Sequence, residues 1–247
     1  MDARRRSFRG RVERALENKH DVHDADADAR DAQLPSECVD RIIRGDCIEI
    51  LRNLPADCID LVLTDPPYLV SYRSRNGRSI RNDTRSDWLE PAFAEIYRTL
   101  KRDAFCVSFY GWPKVERFMH AWKKAGFYPV GHLVWTKTYP SNRQYVAYQH
   151  ETAYLLAKGR PPLPKNPLPD VLPWKYSGNR RHPMEKTEDA LEPIITAFSP
   201  PGGIVLDPFC GSGSTAAAAK RRGRHYLGIE LDERYWRIAN DRLNPTR

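Results

Sequence analysis

The sequence predicts an α/β fold. Short apolar runs alternate with segments of helical periodicity from Cys38 to the last residues, which is the pattern of strands and crossover helices in one sheet. Two of the runs end in rigid or glycine-rich turns, Asp65-Pro66-Pro67-Tyr68 and Asp207-Pro208-Phe209-Cys210-Gly211-Ser212-Gly213. A length of 247 residues suits one domain of moderate size, or a core domain with a small insert, and can bury a sizeable core.

The predicted strands are 41–45, 59–65, 104–110, 127–137, 151–158, 203–207 and 225–230, and the predicted helices 47–54, 88–100, 113–125, 187–198, 213–222 and 232–243. In the second helix Leu89, Phe93, Ile96, Tyr97 and Leu100 recur at helical spacing and give one apolar face. No helix is evident between strands 127–137 and 151–158, so these pair as an antiparallel hairpin at a sheet edge. Three segments break the rhythm. Residues 1–37 join an arginine-rich start to an acidic, alanine-interrupted stretch without aromatic residues beyond Phe8, and are expected to be disordered or loosely attached. Residues 71–87 are polar and basic, and 160–181 hold six prolines without periodicity.

Composition excludes several classes. Mean hydropathy is −0.67, and no stretch approaches the roughly 18 consecutive apolar residues of a membrane span. No apolar run follows the basic start, so a secretory signal is not expected and the compartment expected is the cytoplasm. The five cysteines (38, 47, 58, 106 and 210) show no CxxC spacing, which argues against a disulfide scaffold or a structural zinc site. His20-Asp21-Val22-His23 falls in the weak tail, and no metal is expected.

The stretch from Gly203 to Trp236 reads as strand, glycine-rich turn, helix, strand. Gly211 and Gly213 permit a tight turn and close backbone approach, and Glu230 ends the next strand about where an acid grips ribose hydroxyls in nucleotide-binding α/β folds. Spacing alone leaves a dinucleotide site open, since Ala216 stands where the third glycine falls, although the Asp-Pro-Phe-Cys step fits that fingerprint poorly. No phosphate-binding P-loop motif is present.

Asp65-Pro66-Pro67-Tyr68 follows the strand Ile-Asp-Leu-Val-Leu-Thr. Two prolines remove backbone donors and restrict φ, leaving a carboxylate, a rigid carbonyl and an aromatic ring preset at a strand end. Two acceptors beside a ring suit the exocyclic amine of a nucleobase, whose lone pair is delocalised into the heterocycle. Accepting both N–H hydrogens draws that nitrogen toward tetrahedral geometry and lets it attack a methyl electrophile in line. Tyr68 stacks on a base taken out of the duplex.

Together, Thr64-Asp65-Pro66-Pro67-Tyr68 and the Asp207–Thr215 stretch resemble the S-adenosylmethionine-dependent amino-methyltransferases of DNA. The arrangement is their β-type, in which the catalytic motif precedes the cofactor motif, and the motif is of the DPPY, adenine-N6 type. The resemblance covers roughly residues 38–243 and includes Arg44-Gly45-Asp46-Cys47, Trp135-Thr136-Lys137, His150-Glu151, and His182-Pro183-Met184-Glu185-Lys186. It implies a Rossmann-like, seven-stranded, mostly parallel sheet with an antiparallel terminal hairpin. It also implies S-adenosylmethionine as cofactor and double-stranded DNA as substrate, with N6-methyladenine and S-adenosylhomocysteine as products. Carried onto this sequence, Asp65, Pro66, Pro67 and Tyr68 are the catalytic, base-holding group. Asp207, Pro208, Phe209, Cys210, Gly211, Ser212 and Gly213 are the cofactor loop, and Asp65 borders it. Glu230 with Leu231 meets the ribose, Asp46 with Cys47 the adenine, and Lys186 the methionine carboxylate.

The first residue of the tetrapeptide favours adenine N6 over cytosine N4, which remains the alternative. Cytosine C5 chemistry requires a thiolate nucleophile in a Pro-Cys pair, and no such pair exists. Protein or RNA amino-methyltransferases place the glycine-rich motif first, opposite to the order here, and a DNA-binding regulator without catalysis is disfavoured by the intact Asp65, Tyr68, Glu230 and Lys186.

The formal charge of +8 is located by position. Residues 1–37 carry eight basic and nine acidic side chains; 71–87 carry five arginines against two aspartates, and 137–186 nine basic against three acidic side chains. Arg73, Arg75, Arg78, Arg81 and Arg85 with Gly77 describe a mobile basic loop that contacts DNA phosphates. Residues 138–181 form a short recognition insert, with Tyr139, Arg143, Tyr145, Trp174, Lys175, Tyr176, Arg180 and Arg181 as candidate contacts. An insert this short leaves room for a homodimer sharing recognition, and a cognate restriction enzyme is a further partner to test. Trp112 and Trp135 read as core residues, and His150 and Glu151 either orient the pocket or make a core hydrogen bond.

Overall fold

The computed structural model describes residues 32–70, 82–143, 145–174 and 185–244, all within one unit, Asp31–Arg247. In chain order its elements are β1 (Arg41–Arg44), α1 (Cys47–Arg52), β2 (Ile59–Thr64), α2 (Leu89–Thr99), β3 (Leu100–Phe109), α3 (Val115–Ala125), β4 (Tyr128–Thr136), β5 (Asn142–Arg143), β6 (Ala147–Tyr148), β7 (His150–Lys158), β8 (Val171–Pro173), α4 (Glu188–Phe198), β9 (Ile204–Asp207), α5 (Ser214–Arg221), β10 (His225–Glu230) and α6 (Glu233–Leu243).

The central strand shows why these residues form a sheet. In β2 every residue but Asp60 is buried, with Leu61 and Leu63 on one face and Val62 on the other. The consecutive aliphatic residues Leu61, Val62 and Leu63 are covered on both sides, as parallel strands require. Helices α1, α2 and α3 cover the Val62 face through Leu51, Phe93, Ile96, Phe118 and Trp122. Helices α4, α5 and α6 cover the other through Leu191, Ile194, Ile195, the run Ala216–Ala219 and Leu243. Each large side chain so buried contributes about 1.5–3 kcal/mol. The alanine run keeps α5 thin enough to lie close to the sheet, and alanine loses no side-chain entropy there.

The sheet order is β1-β10-β9-β2-β3-β7-β4-β8. Pairing is parallel from β1 through β3, antiparallel for β3–β7 and β7–β4, and parallel again for β4–β8. The seven strands expected are present in a mixed, mostly parallel sheet, and β4 and β7 form the expected antiparallel pair. Three details differ. The edge is not this hairpin but β8, three residues ending in Pro173 and too short to show a period; an edge position tolerates the proline. The connection from β4 to β7 carries the small β5–β6 hairpin, a two-stranded unit outside the main sheet. Strand β3 begins at Leu100, directly from α2.

Of the expected N-terminal tail, residues 1–31 lie outside the described residues; Leu34 is buried and Ser36–Cys38 form a single 3-10 turn into β1. Within the expected basic loop, 71–81 lie outside the described residues. Its far end is tied down: the Trp88 indole donates to the carbonyls of Asn82 and Arg85 at 3.0 and 2.8 Å, and the buried Asp83 accepts from the Val70 amide at 3.3 Å.

Candidate active site

The carboxyl ends of the parallel strands share one edge, and β2 and β9 are neighbours there. From these two the chain winds outward in opposite directions, the switch point at which open α/β sheets bind ligands. The Thr64 hydroxyl at the end of β2 donates to Asp207 Oδ1 at the end of β9 across 3.0 Å, so the two turns are fixed to one another.

After β2 the two prolines cannot extend the ladder, and the chain leaves the sheet at Asp65. The Tyr68 hydroxyl donates to Asp65 Oδ1 at 2.7 Å and the Lys186 ammonium to Oδ2 at 2.6 Å. Lys186 is also 3.4 Å from the Tyr68 hydroxyl and lies 4.7 Å from the Phe109 ring centroid. Its side chain is 6% exposed. Burial pulls the lysine down, but Asp65 and Glu151 outweigh it and hold its pKa above the ordinary value. Burial pushes the Tyr68 phenol well up, with the Asp65 charge adding to it, so Tyr68 is a neutral donor at physiological pH. Behind Lys186, Glu151 forms an ion pair with the buried Lys137.

The second turn starts at Asp207. Its Oδ1 also accepts from the Phe209 amide at 3.2 Å. Burial raises its pKa from 3.8 to about 7, against the opposing hydrogen bonds from Thr215, Phe209 and Thr64. The Phe209 ring lies edge-on to Trp88, with centroids 5.1 Å apart. Gly213 has φ of +80°, and a Cβ there would lie 3.1 Å from that of Ala239 on α6, so glycine is needed both for the turn and for the helix behind it. Glu230, at the end of β10, accepts from the Gly211 amide through Oε2 and the Asp232 amide through Oε1, each at 2.7 Å, and burial raises its pKa. Two lone-pair positions of that carboxylate stay available for other donors. Asp46 caps α1 by accepting from the Ile48 amide at 2.8 Å.

One pocket is lined by every sequence-derived catalytic and cofactor residue except Gly213: Asp46, Cys47, the tetrapeptide from Asp65 to Tyr68, Lys186, the Asp207–Ser212 turn, Glu230 and Leu231. Gly213 shapes the turn from behind. Burial pushes the Cys47 thiol to about 12 and the Cys210 thiol well up, so neither is a nucleophile, in keeping with the exclusion of C5 chemistry.

Residues that the sequence did not single out complete the site. Asn82, Asp83, Thr215, Asp232 and Tyr235 line the pocket. Arg242, at the end of α6 and 6% exposed, bonds the Ser212 carbonyl (3.2 Å) and Ser214 hydroxyl (3.0 Å) of the glycine turn, and Glu185 (3.0 Å) and Glu188 (2.6 Å) beside Lys186. These partners lie 28 to 57 positions away in sequence, and no local pattern announces them.

One reading of an aromatic residue is corrected. Trp135 is a core residue, fully buried, but Trp112 is 61% exposed and stacks on Tyr148 instead. Trp174 is half-buried against the core, with the Lys137 ammonium 5.3 Å from its ring centroid. Among the DNA-contact candidates, Arg85 is exposed and paired with Asp87 at 2.6 Å, and Arg143 lies in β5. Arg73, Arg75, Arg78, Arg81, Lys175, Tyr176, Arg180, Arg181 and the segment His182–Met184 lie outside the described residues.

A mostly parallel sheet with a carboxylate-proline-proline-tyrosine turn and an acid-lined glycine turn meeting at its switch point defines a nucleotide-handling group-transfer protein. The chain belongs to the DNA methylase family N6_N4_Mtase, whose model matches residues 59–241. It is 59% identical to "Putative methylase YubD" of Escherichia coli K12 over 82% of this chain and 89% of that one, and 30% identical to the DNA adenine methyltransferase YhdJ of the same organism over 82% of each. Among solved structures, the complex of M1.HpyAVI with SAM superposes with a TM-score of 0.66 at 25% identity, covering 83% of this chain and 98% of that one.

Proposed function

We propose that this protein transfers a methyl group from S-adenosylmethionine to N6 of adenine in double-stranded DNA, leaving S-adenosylhomocysteine. Membership of the family carries the class, DNA methyltransferase. The observation that carries the finer reading is Asp65: a carboxylate at the head of the tetrapeptide, in the cofactor pocket, with one oxygen on Tyr68 and the other on Lys186. The similarity to the adenine methyltransferase YhdJ supports it.

The pocket fits the cofactor's chemistry. Acids that line it (Asp46, Asp65, Asp207, Glu230) outnumber its one lysine and suit a molecule carrying a sulfonium and an ammonium, while Lys186 suits its carboxylate. Glu230 would offer its remaining lone pairs to the ribose hydroxyls, Asp46 with Cys47 would border the adenine, and Phe209 would supply an aromatic wall. When bound, S-adenosylmethionine supplies a methyl group on positively charged sulfur. Asp65 and the Pro66 carbonyl accept the two N–H hydrogens of the target amine and free its lone pair, Tyr68 stacks on the flipped base, and the surplus proton leaves the alkylated nitrogen through Asp65. Lys186 and Tyr68 hold the Asp65 carboxylate in place while it does so.

Arg85 and Arg143, with the arginines of 71–81 and Lys175, Arg180 and Arg181, are proposed to contact the phosphate backbone. The test is methylation of DNA with labelled S-adenosylmethionine followed by single-base readout. Asp65→Asn is expected to retain cofactor binding and lose about 10²–10³-fold in kcat, as for removal of one oriented electrostatic partner. N4-methylcytosine among the products, or full activity in Asp65→Asn, would refute the reading.

A further inference from the structure

Strand β3 ends beside the catalytic turn. Gly111 is pressed against Tyr68 so closely that a Cβ there would lie 2.7 Å from the Tyr68 Cβ and 2.8 Å from its carbonyl oxygen. Trp112, one step of the backbone from that contact, presents its indole to solvent with 61% of its surface exposed. A single exposed apolar residue needs no explanation, but a large ring contiguous with other exposed apolar side chains marks a contact surface. This one is backed by a second ring: Tyr148 of β6 stacks on it at 5.9 Å between centroids and 23° between planes. The same hairpin carries Tyr145, which is fully exposed, and Val146, 58% exposed. The result is an aromatic patch beside the mouth of the pocket.

Its surroundings say what it takes. On one side, the turn of Trp112 carries Lys114, and Arg117 of α3, exposed and five residues on, donates to the Ser86 hydroxyl at 3.2 Å. On the other, the β5–β6 hairpin belongs to segment 137–186, the more basic of the two stretches that hold the protein's charge excess. A flat exposed ring with cations on and just after its own turn is complementary to a nucleic acid: cations for phosphates, a π face for a base. A second copy of this chain would bring like charges together at the same place.

Resting on the adenine-methylation reading, we propose that Trp112, supported by Tyr148, is a stacking platform for an unpaired nucleobase of the DNA next to the target base. Taking one base out of a duplex leaves its neighbours and its former partner without stacking on one side. Trp112 supplies that missing surface, and because every base has a π face the platform is tolerant of sequence. It thereby holds the opened DNA over Tyr68 and lies outside the group that touches the reacting atoms.

The test compares full-length wild type, Trp112→Ala, Trp112→Leu and Trp112→Phe by fluorescence anisotropy on a mixed-sequence single-stranded oligonucleotide and on a duplex with one mismatched adenine, over a series of salt concentrations. Trp112→Ala and Trp112→Leu are expected to bind about 5- to 150-fold more weakly and Trp112→Phe to recover most of the loss, as for one base stacked on one ring. The dependence of log affinity on log salt is expected to be unchanged, since no phosphate contact is removed. Cofactor affinity and thermal midpoint serve as folding controls, and the exposed position of Trp112 predicts that both hold. Binding of Trp112→Ala within twofold of wild type overturns the proposal. So does a loss that Trp112→Leu repairs, which would mean a general apolar contact, or a wild-type oligomer that dissociates in Trp112→Ala without DNA, which would mean a surface between copies. A wild type that binds DNA without methylating it defeats the functional reading alone, and the binding comparison still decides the platform.

Discussion

Asp207 should make the protein's stability depend on pH in a way that one substitution removes. Burial raises its pKa from 3.8 to about 7. A carboxyl whose folded-state pKa lies above its unfolded value binds protons more tightly when folded. It therefore contributes stability that is complete below about pH 4 and is lost as pH rises through about 7. At 1.36 kcal/mol per decade, the interval from 3.8 to about 7 amounts to about 4 kcal/mol. Asp207→Asn cannot ionise, yet its amide oxygen can still accept from the Thr64 hydroxyl and the Phe209 amide, which both now meet Oδ1. The two proteins should match within about 1 kcal/mol at pH 4, and the variant should be the more stable by up to about 4 kcal/mol at pH 8. For a chain of this length that is roughly 8–16 °C in Tm. Thermal unfolding followed by circular dichroism at half-unit steps from pH 4 to 8 measures the difference directly, and groups that titrate alike in both proteins cancel from it. A difference that stays flat across this range, or falls as pH rises, refutes the assignment of the proton to Asp207.

Two further substitutions probe the supports of the site. Gly111→Ala places a methyl group 2.7 Å from the Tyr68 Cβ and 2.8 Å from its backbone oxygen; the turn must shift, and about 10²-fold in kcat is expected to go while cofactor affinity, measured by calorimetry, stays the same. Arg242→Ala removes the guanidinium that ties Ser212 and Ser214 to Glu185 and Glu188, with an expected cost of about 3–5 kcal/mol in denaturant unfolding and weaker cofactor binding; unchanged cofactor affinity in a folded variant would mean that Arg242 serves stability alone.

What the sequence disclosed and what it withheld divide along physical lines. The strands and helices were legible because a strand buried on both faces carries consecutive apolar residues, Leu61, Val62 and Leu63 in Ile59–Thr64, and because α2 repeats its apolar face every turn. The two turns were legible because proline and glycine impose backbone geometry locally. Arg242 was not, because an arginine near a chain end looks like surface until α6 packs it against the glycine turn. Nor was the Lys137–Glu151 pair, whose members meet only through the antiparallel register of β4 and β7. Trp112 was misread for a related reason. Hydrophobicity places a tryptophan inside, whereas this one lies on the turn after β3 and faces solvent.

The distribution of charge joins these parts. The protein carries an excess of basic residues, yet the pocket at its switch point is lined by Asp46, Asp65, Asp83, Asp207, Glu230 and Asp232, with Lys186 bound to one of them. The cationic methyl donor suits the acids of this pocket, and the proposed DNA contacts fall in the basic segments of the sequence, so a polyanion and a cation would each meet opposite charge on one molecule. Transfer turns the sulfonium into a neutral thioether, so the same acids that attract the donor attract the product less. Burial sharpens this discrimination, because the pocket acids are poorly screened and Asp207 stays partly protonated near neutral pH until a cation favours its ionised form. The raised pKa of Asp207 is therefore the cost of keeping an acid buried where the positive charge of the donor can stabilise it, whereas Asp65 meets its counter-charge inside the protein, on Lys186.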